Sequence, residues 1–140
     1  MNPKIEEWAR EQFESVNLGD ERLNKRAQII ACNMIKNPES SINMQSEKWA
    51  ESKAAYRFFD SDKVHFQNLI KPHTDIVKAE ANTKEIILAI QDTCSIGYGH
   101  HPSVKGLGHI GSESSKGIIL HNNLAIDPSG KAPLVIGVLY

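Results

Sequence analysis

The sequence has 140 residues, of which 40% are hydrophobic and 24% charged, which is normal for a folded globular protein and excludes a disordered chain. A formal net charge of −1 excludes a strongly basic protein, so any contact with nucleic acid must use locally concentrated positive charge. The start lacks an apolar core and the longest apolar run, Ile86 to Ile90, is too short for a bilayer, so we expect no signal peptide and no membrane segment. Cys32 and Cys94 lack metal-ligand spacing, and we expect free thiols in a reducing cytoplasm.

Residues before about Asn82 repeat with helical spacing. Gly19 is placed to stop a first helix, and Asp20 is predicted to cap a second one. The second helix has an apolar stripe from Leu23 to Ile35 and is predicted to end at Asn37-Pro38. The apolar stripe of the first helix consists of Ile5, Trp8, Ala9, Phe13 and Val16.

The next stretch, Glu39 to Gln45, is polar and is predicted to be a loop. Ser46 is a candidate cap for a third helix, which Asp60-Ser61-Asp62 breaks. A fourth helical segment follows, and Pro72 either kinks it or begins a new helix. The large aromatic side chains at helical spacing are expected to pack in the core rather than stack on bases: Trp8, Trp49, Tyr56, Phe58 and Phe59.

Strands and glycine-rich loops are predicted after residue 85. The compact apolar run Glu85 to Gln91 is typical of a buried strand. Ile118 to Ile126 is a second strand, Asp127 to Gly130 is a turn, and Leu134 to Tyr140 is a third strand antiparallel to the second. The fold class is therefore α+β, with a helical region over residues 1–82 and strands over residues 83–140. We expect the strand region to be truncated, unless the helices cover its sheet.

Asp92 is the sharpest candidate for chemistry, because it follows the predicted buried strand directly. A carboxylate at such a position is costly unless it is paired, exposed or bound to a metal ion. Two interpretations stay open from the spacing alone. One is a Mg²⁺ ligand, since hard oxygen ligands suit that ion, and the other is a cap at the strand end.

Five basic residues form one triplet and one pair at helical spacing and are candidate DNA contacts. Arg and Lys on one helix face can neutralise phosphates, but ordinary solvated helix faces show the same pattern. The candidates are Arg22, Lys25 and Arg26 on the second helix, and Lys53 and Arg57 on the third. Four histidines, His100, His101, His109 and His121, also lie close in sequence, but their spacing follows no zinc-site rule.

Several segments resemble the Tn-five type of DDE transposase, in the insertion-sequence-four family, and they follow one another in the same order as in that family. Leu88 to Tyr98, which includes Asp92, resembles that family's first catalytic strand. The other similar segments are Leu18 to Arg22 followed by Arg26, Ala54 to Phe58, Gly106 to Gly111, and Gly117 to His121. One departure is Leu23, which stands where a well-known relative has a second arginine.

The resemblance implies cut-and-paste transposition on an RNase H-like catalytic domain, whose first three strands would be residues 83–140. Two divalent metal ions, Mg²⁺ or Mn²⁺, are held in the family by two aspartates and a glutamate. Asp92 matches the first aspartate, and the other two carboxylates belong to later segments. We therefore expect this polypeptide to bind transposon-end DNA, to bind the metal weakly and not to cleave DNA alone.

Two alternatives remain. A truncated chain of this kind can act as a DNA-binding regulator or inhibitor of transposition, by competing for transposon ends or by dimerising with itself or a full-length transposase. An unrelated metal-binding protein built on the histidines is the other.

Overall fold

The computed structural model describes residues 3–46, 48–99, 101 and 103–139. The chain has two compact units, Met1–Ile76 and Val77–Tyr140, which we call the helical unit and the sheet unit. Five helices precede a four-stranded antiparallel sheet, so the α+β class is confirmed. The domain boundary expected between residues 82 and 83 stays a prediction. The helices are α1 Pro3–Phe13, α2 Glu21–Lys36, α3 Ile42–Gln45, α4 Trp49–Phe59 and α5 Phe66–Ala81.

Helix α2 begins where its cap residue predicts. The side chain of Asp20 accepts a hydrogen bond from the Arg22 N–H at 2.9 Å, which satisfies one of the free donors of the first turn. Gly19 precedes it with a φ of +72°, a conformation that favours glycine. Helix α1 ends earlier than expected, at Phe13, and Asn37 forms the C-cap of α2.

The predicted start of the third helix is wrong. Ser46 is the C-cap of the short helix α3, and its hydroxyl donates to the carbonyl of Ile42 at 3.0 Å. Helix α4 begins after Lys48, which makes no side-chain capping bond among the described residues. The polar stretch before Ser46 was expected to be a loop, but its last four residues form this extra turn of helix. The predicted break is confirmed, because Asp60 is the C-cap of α4.

Helix α5 runs through Pro72 as one element. Proline removes one helical donor at this point, so the helix is weakened locally without a new one starting.

Buried apolar residues of the helical unit form a core cluster. Phe58 of α4 is 2% exposed and lies in one cluster with Ala27 and Ile30 of α2. Ala55 adds a second contact surface from α4, and the connection between α1 and α2 completes the cluster with Val16 and Leu18. Helices α2 and α4 are therefore held together by buried side chains.

Within the described part of the sheet unit there are four strands rather than three: β1 Leu88–Gly97, β2 Gly108–Ile110, β3 Ser112–Asp127 and β4 Leu134–Val138. Strand β3 pairs antiparallel with each of the others, which confirms the predicted antiparallel pairing of the last two strands. Gly117 pairs with both Gly97 and Gly108, and Leu124 pairs with both Ile90 and Val138. Strands β2 and β4 therefore share the edge of β3 that faces away from β1. Tyr140, which the third predicted strand included, lies outside the described residues.

The prediction that the first strand is buried is wrong. All ten residues of β1 are exposed, including Leu88, Ile90 and Ile96. Asp92 also does not follow the strand, because β1 continues for five residues beyond it. A continuous apolar run predicts a strand that is buried on both faces. Among the described residues, however, both faces of β1 are exposed to solvent.

The turn after β3 is fixed by one carboxylate. Asp127 accepts hydrogen bonds from the Ser129 backbone N–H at 2.9 Å and from its hydroxyl at 2.6 Å. The Lys84 ammonium lies 3.1 Å from the other carboxylate oxygen. The hydrogen bonds from Ser129, followed by that from Lys84, lower the pKa of Asp127 to about 2.

This pKa predicts a loss of stability in acid. The pKa of Asp127 in the folded state lies below its unfolded value of about 3.9. The ionised carboxylate therefore stabilises the folded state fully above about pH 4, and this stabilisation disappears as the pH falls through about 2. Urea unfolding should show Asp127→Asn to be less stable than the unchanged protein at pH 5. The difference between their free energies of unfolding should become smaller by pH 2.5. Asp62→Asn, at an exposed loop position, is the matched control and should show no such difference. A stability difference between Asp127→Asn and the unchanged protein that does not vary with pH would contradict this role of the ionised carboxylate.

Candidate nucleic-acid interface

The three basic residues of α2 lie beside its buried stripe. Arg22 and Lys25 are exposed, whereas Arg26 is half-buried. Arg26 adjoins Ala27 and lies one turn before Ile30, both of which are in the core. Arg22 and Arg26 are four residues apart and share one face.

Lys25 is less available than the two arginines. Its ammonium lies 3.5 Å from the Glu21 carboxylate, one turn earlier in α2, and both side chains are largely exposed. A surface pair of this kind is weak and can be exchanged for a phosphate contact. Arg22 and Arg26 are therefore the stronger candidates on α2.

The sequence pattern does not identify one further lysine as a candidate DNA contact. Lys63, in the loop after α4, has its ammonium 3.9 Å from the Asp20 carboxylate. It therefore lies at the start of α2, next to the turn that carries Arg22. No local pattern identifies Lys63, because the contact joins residues 43 positions apart in the chain and depends on the packing of α4 against α2.

The two basic residues of α4 lie on the side of the helix that faces away from the core. Ser52, Ala55 and Phe58 are buried, while Lys53 and Arg57 are exposed. A rotation of about 100° per residue puts the two basic side chains on one face, roughly opposite the buried one. The structure thus joins α2 and α4 through their apolar faces and leaves the basic residues of both helices at the surface.

The aromatic side chains of this region depart from the prediction. Phe58 is buried as expected, but Trp49 is 73% exposed and Tyr56 is 49% exposed. Phe59 and Trp8 are also exposed, so the core prediction is wrong for four of the five aromatic residues. The residues that pack α4 against its neighbours are small ones, Ser52 and Ala55, together with Phe58.

Asp92 lies at the middle of β1, directly opposite Asn122 of β3. Directly paired residues of an antiparallel sheet share a face, so the Asp92 carboxylate and the Asn122 amide project to the same side. The neighbouring positions on that side, Ile90 and Cys94, are exposed. The carboxylate is therefore accessible, within a largely apolar sheet face.

The histidines are distributed over separate elements. His121 of β3 forms a 2.6 Å hydrogen bond with the Thr93 hydroxyl, on the sheet face opposite Asp92. His101 lies edge-on to Tyr98, His109 belongs to β2, and His100 lies outside the described residues. Among the residues that the structure describes, no three His, Cys, Asp or Glu side chains are grouped so that they can hold a metal ion.

No helix within the described ranges has the length and apolar character needed to cross a membrane.

Residues 5–64 match the model of a family described as transposase DNA-binding. The matched range contains both basic helices, α2 and α4, and ends just after Lys63. The match supports transposase-related DNA binding by the helical region.

Proposed function

We propose that this chain is the N-terminal part of a bacterial DDE transposase of the Tn-five type, in the insertion-sequence-four family, and that its helical unit binds transposon-end DNA. The observation that carries the proposal is the match of residues 5–64 to transposase DNA-binding proteins, over the range that contains all five basic candidates.

Binding would depend on local rather than net charge. Guanidinium groups come from Arg22 and Arg26 on α2 and from Arg57 on α4, and buried residues of these two helices belong to one core cluster. Guanidinium groups bind phosphate oxygens in a fixed fork and are also the commonest readers of guanine edges in the major groove. Lys25, Lys53 and Lys63 add point charges that can neutralise neighbouring phosphates. A net charge of −1 therefore does not prevent binding, because the contacts would depend on these few cations and not on the charge of the whole chain.

The test is a salt-dependent gel shift with the terminal repeats that flank the gene, compared with random DNA of equal length. Arg26→Ala or Arg57→Ala should weaken binding to the terminal repeat by about 1–3 kcal/mol if the arginine reads a base. If it contacts a phosphate instead, affinity for both DNAs should fall and the salt slope should decrease by about one. Lys131→Ala, an exposed lysine outside the matched range, is the control and should change neither quantity. Variants that bind both DNAs like the unchanged protein would contradict the proposal.

We further propose that the sheet unit begins an RNase H-like catalytic domain and that Asp92 is the first of its three metal-holding carboxylates. The Asp92 carboxylate and the Asn122 amide, paired across β1 and β3, offer hard oxygens on one accessible sheet face, which suits Mg²⁺. When bound, two such ions would activate the attacking oxygen and stabilise the leaving oxygen at phosphorus. In this chain the role of Asp92 would be to hold one ion at a fixed point of the strand.

A single carboxylate with one amide neighbour is not a two-metal site, since Mg²⁺ requires several oxygens in near-octahedral geometry. We therefore expect no specific cleavage when purified residues 1–140 are incubated with transposon-end DNA and Mg²⁺ or Mn²⁺. Asp92→Ala should bind the DNA as well as the unchanged protein, because Asp92 lies outside the DNA-binding helices. Cleavage at the transposon end that Asp92→Ala abolishes would refute this expectation.

A second candidate function is a DNA-binding regulator that inhibits transposition. It is favoured by the core of the helical unit, in which buried side chains of that unit join α2 and α4. In this case, co-expression with a full-length transposase should lower transposition, through competition for ends or through mixed dimers. Arg26→Ala should relieve inhibition by competition, but not inhibition by dimerisation. The downstream reading frame separates the two functions, because an enzyme requires a later Asp and Glu.

A further inference from the structure

One face of α4 carries exposed aromatic rings between exposed cations. Trp49, Lys53, Tyr56 and Arg57 fall within an arc of about 100° at the helical rotation of 100° per residue, and we call them the α4 aromatic face. All four are exposed. The buried residues of α4 lie on the other side of the helix: Ser52, Ala55 and Phe58.

The exposure of the two rings needs an explanation. Trp49 leaves 73% of its surface in solvent and Tyr56 leaves 49%, although aromatic side chains have the most to gain from burial. The core of the helical unit is complete without them, since α4 is anchored by its small residues and Phe58. The rings are therefore available for a partner.

The charges on the face identify the chemistry of that partner. Lys53 lies between the two rings along the helix, and Arg57 follows Tyr56 directly. Glu51, in the first turn of α4, lies about 120° outside this arc at 100° per residue, and Asp60, the C-cap, follows the last turn. A surface of this kind complements a polyanion with flat apolar groups, which describes a nucleic-acid strand whose bases are not paired. Paired duplex DNA offers phosphates to the cations but hides the faces of its bases.

We propose that the α4 aromatic face binds unpaired bases of DNA, with Trp49 and Tyr56 stacking on bases while Lys53 and Arg57 contact the phosphates between them. The inference rests on the proposed DNA-binding function and specifies its substrate as DNA that is locally opened. A transposon end that is frayed or distorted provides such bases, and a fully paired end does not.

The spacing of the rings sets the length of strand. Trp49 and Tyr56 are seven residues apart, which is about 10.5 Å along the helix axis at 1.5 Å per residue. A stacked strand advances about 3.4 Å per nucleotide, so the two rings are separated by roughly three nucleotide steps. Four unpaired nucleotides are therefore the shortest opening that engages both rings.

The first test compares binding of the full chain to a paired terminal-repeat duplex and to the same duplex with four mismatched nucleotides. Trp49→Ala and Tyr56→Ala should each weaken binding to the opened duplex by about 10- to 100-fold, and should change binding to the paired duplex much less. Trp49→Phe should retain most of the affinity, because a phenyl ring still stacks. Phe66→Ala removes a ring that is 66% exposed on α5 and should affect neither DNA.

The second test uses fluorescence. The chain has two tryptophans, so Trp8→Phe leaves Trp49 as the single reporter. Opened duplex should quench its emission, because stacking places a base against the indole ring, whereas paired duplex at equal saturation should quench it little.

Each outcome decides the proposal. Equal losses on paired and opened DNA, or no quenching by opened DNA, overturn it. So does a Trp49→Ala variant that changes the oligomeric state while leaving DNA binding intact, because the face is then an interface between copies of the chain. Failure of the chain to bind either DNA overturns the proposed function itself, whereas intact duplex binding without a preference for opened DNA overturns this inference alone.

Discussion

Phe58→Ala is expected to lower the free energy of unfolding of the helical unit by about 3–5 kcal/mol, the usual range for removal of a buried phenyl ring. Phe58 is 2% exposed and belongs to the core cluster that joins α2 to α4. Its truncation removes apolar burial and also leaves a cavity, because the helices on either side of the ring can only partly close over the space.

The loss matters for function because the ring holds the two basic helices together. Ala27 and Ile30 in the same cluster belong to α2, which carries Arg22 and Arg26. Arg57 precedes Phe58 directly on α4. A small unit has a total stability of only a few kcal/mol, so this single change is expected to unfold a large fraction of the molecules. DNA binding should then fall in proportion to the unfolded fraction.

Urea unfolding of the full chain, followed by far-ultraviolet circular dichroism, measures the effect. Phe66→Ala is the matched control, because it removes the same side chain from an exposed helical position and should change stability by less than about 0.5 kcal/mol. A Phe58→Ala protein with the stability of Phe66→Ala would show that the core does not depend on this ring, and that α2 and α4 are held by other contacts.

The helical half of the fold could be predicted mainly where the signal is local. Asp20 caps α2 as expected, because a carboxylate needs only the next turn of backbone to act as a cap. The core of α4 was assigned to the wrong residues for the opposite reason. Large rings at helical spacing suggest a buried stripe, but α4 buries Ser52 and Ala55, whose small side chains allow close approach of its neighbours. Which face a helix buries depends on the partner, and no local pattern contains the partner.

The candidate site shows the same division. The sequence predicts the helix, and residues four apart on a helix share a face. The common face of Arg22 and Arg26 could therefore be predicted. The position of Lys63 could not, since its contact with Asp20 requires the folded unit. The sequence also predicted that β1 would end near Asp92, because the following glycines suggest a loop. The strand instead continues to Gly97, since β3 is long enough to supply a partner for every residue from Leu88 onward.

Gly117→Ala is expected to destabilise the sheet unit by about 3 kcal/mol or more, at the upper end of the cost of overpacking. A Cβ at this position would lie 2.1 Å from the carbonyl oxygen of Ile96 and 2.6 Å from the Cδ1 of Ile110. The Ile110 side chain can rotate away, but the Ile96 oxygen belongs to the backbone of β1. Relief therefore requires β1 to move away from β3, which breaks ladder hydrogen bonds at the point where β1 and β2 both pair with Gly117.

Gly97→Ala separates this clash from the general effect of removing a glycine. Gly97 is the direct partner of Gly117 across the ladder, but a Cβ there would meet only the Cδ1 of Ile110, at an ordinary 3.8 Å. This substitution should cost little, and can stabilise by up to about 1 kcal/mol through the restricted unfolded chain. Hydrogen exchange of the β1 and β3 amides would show the difference as faster exchange in Gly117→Ala alone. Equal exchange in the two variants would mean that β1 does not lie as close to β3 as the register of Asp92 against Asn122 requires, and the proposed metal-holding role of Asp92 would lose its structural support.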